Sequence, residues 1–263
     1  MKPRPIDPAL LAPERYPATP FPAEDWAWFE AACAEFEVAV SDAQRMVLEG
    51  LYSHLVGVNE WLNLTRLTGV RDYLKFHVLD SLTALETVAE MTEPGDFCLD
   101  LGSGGGYPGL PMATWLPDRR WRLVDSRQKK VAFMQSALPL TGCADVEACA
   151  FRGREVARFQ PDLAEACRLV LARAVGRADS LLPDLKALLA MNGFALLLKG
   201  PRFEADERQD LENACPAFGL ELVCEQTVTL DPDDPERFLV LLAKTSDPDA
   251  KPVRRRRRRA VPE

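Results

Sequence analysis

From residue 97 to residue 243, short apolar runs alternate with longer segments whose apolar positions recur every three or four residues. Runs of the first kind fit buried strands and segments of the second kind fit amphipathic helices. The pattern predicts strands over 97–101, 121–124, 146–149, 169–172 and 194–198, with helices near 110–115, 130–138, 180–191 and 203–218. Strand–helix alternation of this kind builds a mostly parallel sheet. Two further runs, 221–230 and 238–243, have no clear helix between them and predict a closing antiparallel hairpin. The expectation is an α/β fold on a mostly parallel seven-stranded sheet. No internal repeat is visible.

Upstream, the periodicity is helical throughout. Trp26, Phe29, Phe36 and Val40 share one helical spacing. Ser41 followed by Gln44 predicts a capping box, opening a helix with Val47, Leu48, Leu51 and Leu55 on one face. A third helix is expected from 70 to 85. Between them, residues 59–65 carry no strong period and predict a structured loop. The chain then divides into a disordered leader over 1–24, an N-terminal helical extension over 25–92, a cofactor-binding domain over 93–245 and a disordered basic tail over 246–263.

Composition adjusts this outline at both ends. Pro3, Pro5, Pro8, Pro13, Pro17, Pro20 and Pro22 crowd the first 22 residues where a targeting peptide would need an apolar core. With 47% hydrophobic residues in 263, a full core is available, yet no run reaches the ~18 apolar residues of a membrane span. Seven cysteines, none two residues from another, argue for free thiols in a reducing cytoplasm. With only His54 and His77 besides, no metal site is expected. The net charge of −8 conceals an asymmetry. Setting aside the run Arg254–Arg259 leaves 26 basic residues against 40 acidic ones, a net −14. An acidic body with a basic arm is compatible with nucleic-acid binding through that arm, and equally with a merely solvated tail.

The strongest chemical signal follows the first predicted strand: Asp100-Leu101-Gly102-Ser103-Gly104-Gly105-Gly106-Tyr107-Pro108-Gly109. Glycines here permit a tight turn and close approach of a ligand to the backbone, and the free amides at the next helix favour a carboxylate or phosphate. Gly104, Gly106 and Gly109 also fit the bare dinucleotide pattern. Asp100 tilts the choice. At the strand end a carboxylate can take the ammonium group of a methionine moiety or an ordered water, whereas it would repel a pyrophosphate. Asp125 ends the next strand and can accept hydrogen bonds from both hydroxyls of a ribose, which suits either cofactor.

Several further stretches occur in a familiar order: Asn63-Leu64-Thr65, His77-Val78-Leu79-Asp80-Ser81-Leu82, Leu123-Val124-Asp125-Ser126, Lys129-Lys130-Val131-Ala132-Phe133, Ala172-Arg173-Ala174, Leu198-Lys199-Gly200 and Glu236-Arg237-Phe238-Leu239-Val240. With the glycine loop through Pro108-Gly109-Leu110-Pro111, the set covers about residues 45 to 243. It resembles the RsmG family (glucose-inhibited division protein B), small-subunit rRNA guanine-N7 methyltransferases of the Rossmann-like class I fold. The resemblance implies S-adenosylmethionine as cofactor and 16S rRNA or the small ribosomal subunit as partner. It implies Gly102 and Tyr107 on the methionine side of the pocket, Asp125 at the ribose, Gly153 and Arg154 at the adenine, and Arg173 within the cofactor site. The family usually has an acidic residue where Arg154 stands, and Glu155 follows it.

Each residue also has a plainer reading. Arg173 could be a structural ion-pair partner, and Lys199 could cap a strand end or meet RNA phosphate. His77 fits a partly buried, hydrogen-bonded histidine better than a catalyst, and His77, Asp80 and Ser81 fit a brace between the helical extension and the cofactor domain. Asn63 could pin its loop or touch the target base. Arg127, Lys129, Lys130, Lys199 and Arg202, all after predicted strands, could form a phosphate-facing rim. Guanine N7 has a free lone pair and needs no general base, which accords with the lack of a nucleophile–base constellation. The positioning candidates are then Arg173, Lys199 and Asn63, in a protein expected to be a monomer. Three other readings stand beside it: a methyltransferase of the same fold with another substrate, a nicotinamide-dependent dehydrogenase disfavoured by Asp100, and a non-enzymatic RNA-binding assembly factor.

Overall fold

The computed structural model describes residues 6–249. Its strands are β1 (Phe97–Leu101), β2 (Arg120–Asp125), β3 (Val146–Ala150), β4 (Cys167–Arg173), β5 (Leu189–Lys199), β6 (Leu220–Val228) and β7 (Arg237–Lys244), in one sheet ordered β3-β2-β1-β4-β5-β7-β6. The first five strands are mutually parallel, while β7 runs antiparallel between β5 and β6. The closing hairpin expected from the sequence is therefore present, with its second strand inserted against β5. Because both faces are covered, the central strands are apolar at successive positions, each residue serving the face its parity selects. On β4, Leu169 and Leu171 enter one core and Val170 and Ala172 the other. On β7, Leu239 and Leu241 oppose Val240 and Leu242 in the same way.

The helices are α1 (Ala23–Ala34), α2 (Asp42–Leu62), α3 (Val70–Asp72), a π-helical segment (Tyr73–Leu79) running directly into α4 (Asp80–Leu82), then α5 (Leu85–Met91), α6 (Gly109–Trp115), α7 (Gln128–Ala137), α8 (Gly153–Phe159), α9 (Leu182–Leu188), α10 (Phe203–Asp206) and α11 (Arg208–Ala214). Side chains from α1 through α7 share one core with one sheet face, and those of α8 to α11 bury the other. The N-terminal helices thus have no separate core, and the boundary placed at 92/93 divides the sequence without dividing the packing. No helix among the described residues is long and apolar enough to cross a membrane.

Several expected boundaries shift for local reasons. Helix α1 ends at Ala34, and Glu37 takes φ 56°, so Phe36 and Val40 lie beyond it. Ser41 does cap α2: its backbone N–H donates to Gln44 Oε1 at 2.8 Å and its hydroxyl accepts from the Gln44 amide at 3.3 Å. That helix runs through residues 59–62, which lack the period that would have marked them as helical. The helix expected over 180–191 stops at Leu188, and β5 begins at once with a register shift opposite Cys167 and Leu169. Asn192 at φ 62° makes the kink, and a Cβ on Gly193 would stand 2.8 Å from the Cys167 carbonyl oxygen. The 203–218 helix breaks at Glu207 (φ −130°), which separates α10 from α11.

The leader is the largest correction. Residues 6–22 are not a disordered strand but a strap laid along α2. The Tyr16 ring occupies the space over Gly57, the Thr19 amide donates to Ser53 Oγ at 3.1 Å, and the Phe21 amide donates to Glu49 Oε1 at 2.9 Å. The contacted positions 57, 53 and 49 are four apart, one stripe of the helix. Proline density misled because fixed φ also suits a chain that docks without pairing. The Arg254–Arg259 tail lies outside the described residues.

Candidate functional site

The strand order reverses between β1 and β4, and in open α/β sheets a ligand crevice forms outside the carboxyl ends of strands at such a point. The glycine loop leaves β1 there. Its first turn is pinned by the Gly102 and Ser103 amides, both donating to the Val124 carbonyl at 2.8 and 2.9 Å. Gly102 (φ 76°) faces Val175 so closely that a Cβ would lie 2.3 Å from the Val175 side chain. Gly102, Ser103, Gly104, Gly105 and Tyr107 then line a cleft of roughly 190 Å³ closed by Lys130 and Arg173. A larger cavity, about 680 Å³ between Trp28 and Asp231, contains no part of the loop.

Asp100 is fully buried and braces the loop from below. Its Oδ2 accepts the Gly109 amide at 2.8 Å and the Ser103 hydroxyl, while Oδ1 has no partner. Burial raises its pKa to about 6, and those two donors oppose the rise. Gly109 is needed there because a Cβ would meet Leu123 and the Asp100 carboxylate at 2.7 and 2.8 Å. Gly106 is buried and turns the loop toward Leu110 without facing the cleft.

Asp125 ends β2 beside the loop. Its two oxygens accept the Gly104 and Arg127 amides at 3.1 and 2.8 Å, and Lys130 Nζ stands 3.6 Å away. Gly153 and Arg154 begin α8 just after β3, on the same side as Asp125 but outside the loop cleft. A Cβ on Gly153 would collide with Asp184, whose carboxylate accepts a backbone bond from Arg154. The Arg154 side chain is exposed.

The other wall belongs to the 70–82 helix and β4. Arg173 donates from Nη1 to the Phe76 carbonyl at 2.9 Å and to Asp80 Oδ2 at 2.5 Å, and its guanidinium lies 5.9 Å from the Tyr107 ring centre. Asp80 Oδ1 holds Arg237 at 3.1 Å, so one carboxylate fastens β4 and β7 to the helix. Ala174, next in the chain, is held at φ 55°, a strained state for a residue with a Cβ. His77 stacks on Tyr107 with centroids 4.7 Å apart, and its Nε2 meets Thr65 Oγ1 at 3.2 Å. Burial, assisted by the Arg173 charge, lowers its pKa to about 4, so His77 is neutral at pH 7. Ser81 donates back to the His77 carbonyl. The brace expected from His77, Asp80 and Ser81 is what the contacts form.

Other expected roles fare differently. Lys199 is buried with Nζ 2.7 Å from Glu207 and bonded to the Gly176 carbonyl at 2.9 Å, so it is no free phosphate contact. Lys129 donates to the Leu62 carbonyl at 2.8 Å, whereas Arg127 and Arg202 are exposed. Asn63 is the left-handed C-cap of α2 (φ 50°), exposed and outside the cleft. The loop is pinned instead by Asn59, which sequence reasoning missed. Its Oδ1 accepts the Leu64 and Thr65 amides at 2.6 and 2.9 Å and its Nδ2 donates to the Thr65 carbonyl at 3.0 Å. An amide side chain four residues before the helix C-cap was the available signal.

The arrangement suits a zwitterionic nucleoside ligand. It offers glycine-bared amides, the Asp125 carboxylate at the end of β2, and the cations Lys130 and Arg173 at the cleft. His77, which lines the cleft, has a buried Nδ1 without a partner, so polar capacity remains there. S-adenosylmethionine fits that donor and acceptor set.

Known proteins agree with this geometry. The family described as GidB, rRNA small subunit methyltransferase G, matches residues 44–229. A Lactobacillus acidophilus protein named ribosomal RNA small subunit methyltransferase G is 34% identical over 205 residues, 78% of this chain and 85% of that protein. The Sorangium cellulosum protein of the same name is 36% identical over 178 residues, 68% and 73% of the two chains. Among solved structures, Pyrococcus horikoshii TYW2 in complex with MeSAdo superposes with a TM-score of 0.50 at 12% identity, covering 63% of this chain and 64% of that one, a likeness of fold alone. The chain belongs to the rRNA small subunit methyltransferase G family, the S-adenosylmethionine-dependent methyltransferases that act on small-subunit ribosomal RNA.

Proposed function

We propose that this protein transfers the methyl group of S-adenosylmethionine to N7 of one guanine in 16S rRNA, working as a cytoplasmic monomer on the small subunit or its RNA. The observation that carries the reading is the loop cleft at the strand reversal, bounded by Gly102 on one side and Arg173 on the other. Seven unpaired cysteines accord with a reducing compartment. In the bound state, Gly102 and Tyr107 would border the methionine portion, Asp125 the ribose, and Gly153 with the Arg154 backbone the adenine. Arg127 and Arg202, both exposed, are the cations best placed to meet phosphate.

Bound S-adenosylmethionine supplies a methyl group on a sulfonium. Guanine N7 presents a lone pair in its neutral form, so no residue has to remove a proton. The protein's task is placement, and fixed groups at short range supply it. His77 is neutral, stacked and bonded to Thr65, which makes it part of the wall. Arg173 is held by two partners before any ligand arrives. Such preorganisation spares the reorganisation that solvent would otherwise undergo.

The test is methyl transfer from labelled S-adenosylmethionine to small-subunit particles lacking the modification, followed by mapping of the labelled base. Label at one guanine N7 is the expected result. Label on another atom or another RNA would refute the target while leaving the cofactor assignment intact.

A further inference from the structure

A second cleft of about 280 Å³ lies across Arg173 from the first. The two share His77, Arg173 and Ala174 and nothing else. The remaining walls of the second cleft include Phe76 and Asp80 on the helix, Lys199 and Gly200 at the end of β5, and Arg237 and Phe238 on β7. It is thus a compartment beside the cofactor cleft, separated by one cationic side chain, one neutral histidine and one small residue.

The chemistry of the walls is specific. Phe76 and Phe238 offer aromatic surface to a flat ring, as bases displaced from a stack require. Arg237 has a buried Nε with no partner, and Arg173 has committed only Nη1. Guanine carries O6 and N7 side by side as acceptors on one edge. With N7 turned toward the first cleft, O6 necessarily points at the shared wall, where Arg173 stands. A donor there favours guanine over adenine, which presents an amino group at that position.

We propose that this second cleft receives the target guanine, with Arg173 donating to O6 across the partition and Asp80 as the positioning residue that holds Arg173 and Arg237 in place. The inference rests on the guanine-N7 reading of the site. In the step itself the N7 lone pair forms the N–CH₃ bond and the C–S bonding pair stays on sulfur. The positive charge passes from the sulfonium to the guanine ring, and no proton moves. Asp80, between two arginines, keeps that emerging ring charge from facing two unscreened cations.

Gly200 provides the test because it is exposed at the lining of the cleft and a Cβ there meets nothing within 4 Å, so a side chain can be added at the cleft wall without displacing its neighbours. Wild type, Gly200→Ala and Gly200→Phe would be compared for S-adenosylmethionine affinity and for methyl transfer to undermethylated subunits with base mapping. The expected result is unchanged cofactor affinity throughout and a loss of transfer that grows with side-chain size, small for Gly200→Ala and at least ~100-fold in kcat/KM for Gly200→Phe. A companion variant guards against misfolding: Gly200→Cys in a Cys224→Ser background, assayed before and after reaction with N-ethylmaleimide, with Cys224→Ser alone as control. Transfer lost on alkylation of the double variant but not of the control, with cofactor binding retained, supports the cleft. Full transfer by Gly200→Phe or by the alkylated double variant overturns it, even if wild type labels guanine N7. Wild-type label elsewhere would instead overturn the guanine-N7 reading, and the two failures are thereby distinct.

Discussion

Gly102 meets two demands at once that a residue with a side chain cannot satisfy. Its φ of 76° lies in the left-handed region, and the Val175 side chain occupies the space a Cβ would need. Gly102→Ala is therefore expected to destabilise the protein by about 1–3 kcal/mol and to weaken S-adenosylmethionine binding at least ~10-fold, since the loop lines the cleft. Adding Val175→Ala should recover only part of the loss, because it restores room and leaves the backbone strain. Urea denaturation with calorimetric titration reads both quantities, and wild-type affinity in the single variant would remove Gly102 from the site. The glycine and its neighbour Asp100 were legible in sequence because the chemistry is local: a strand end, a turn, a helix start. Lys199 was not. Whether a lysine after a strand meets solvent or a carboxylate depends on Glu207, which reaches it only because a helix breaks at that residue.

At the scale of elements, the 63–69 connection shows how a loop without period acquires a fixed shape. Asn59, still within α2, ties down both ends of Leu64-Thr65, and Thr65 in turn holds His77 against Tyr107. Asn59→Ala leaves the Leu64 and Thr65 amides without their acceptor, at a cost of about 1–3 kcal/mol where water cannot replace it. Its expected signature is faster hydrogen exchange at residues 64 and 65 and a several-fold rise in the cofactor dissociation constant, with α2 itself protected as before. Unchanged exchange at those amides would show that the splint is dispensable. The strands that sequence patterning located best, β1 and β3, are short runs flanked by glycine and aspartate, which mark their ends whether or not the strand is fully buried. It failed where tertiary contacts choose between states, as at the start of β5, where helical spacing continues into a bulged strand. The π-helical turn at Tyr73–Leu79 was also invisible, for a helix wound one residue wider keeps almost the same apolar spacing. Its consequence is large, since Phe76 and His77 reach the site from it and Asp80 follows it directly.

For the whole molecule, the central tension is electrostatic. A protein whose partner is RNA carries a net −14 once the Arg254–Arg259 run is set aside. Within the described residues the cations near the strand ends are mostly spent: Arg173 on Asp80, Lys199 on Glu207, Lys130 beside Asp125. Such pairs hold the site's shape but contribute little attraction beyond a Debye length of ~8–10 Å. Long-range attraction to a polyanion must then come from charge without acidic neighbours in sequence, and the six consecutive arginines are the largest such block in the chain. Truncation after Asp249 is accordingly expected to leave cofactor affinity unchanged and to weaken RNA binding most at low salt. Each arginine that neutralises a phosphate steepens the log–log dependence of affinity on salt by ~0.7 to 0.9, so losing all six contacts would flatten the slope by up to ~5. Filter binding of 16S rRNA across a salt series measures it. An unchanged slope would assign recognition to the few exposed cations of the body, Arg127 and Arg202 among them, and would mean that an acidic protein finds its RNA by shape and base contacts with almost no help from its net field.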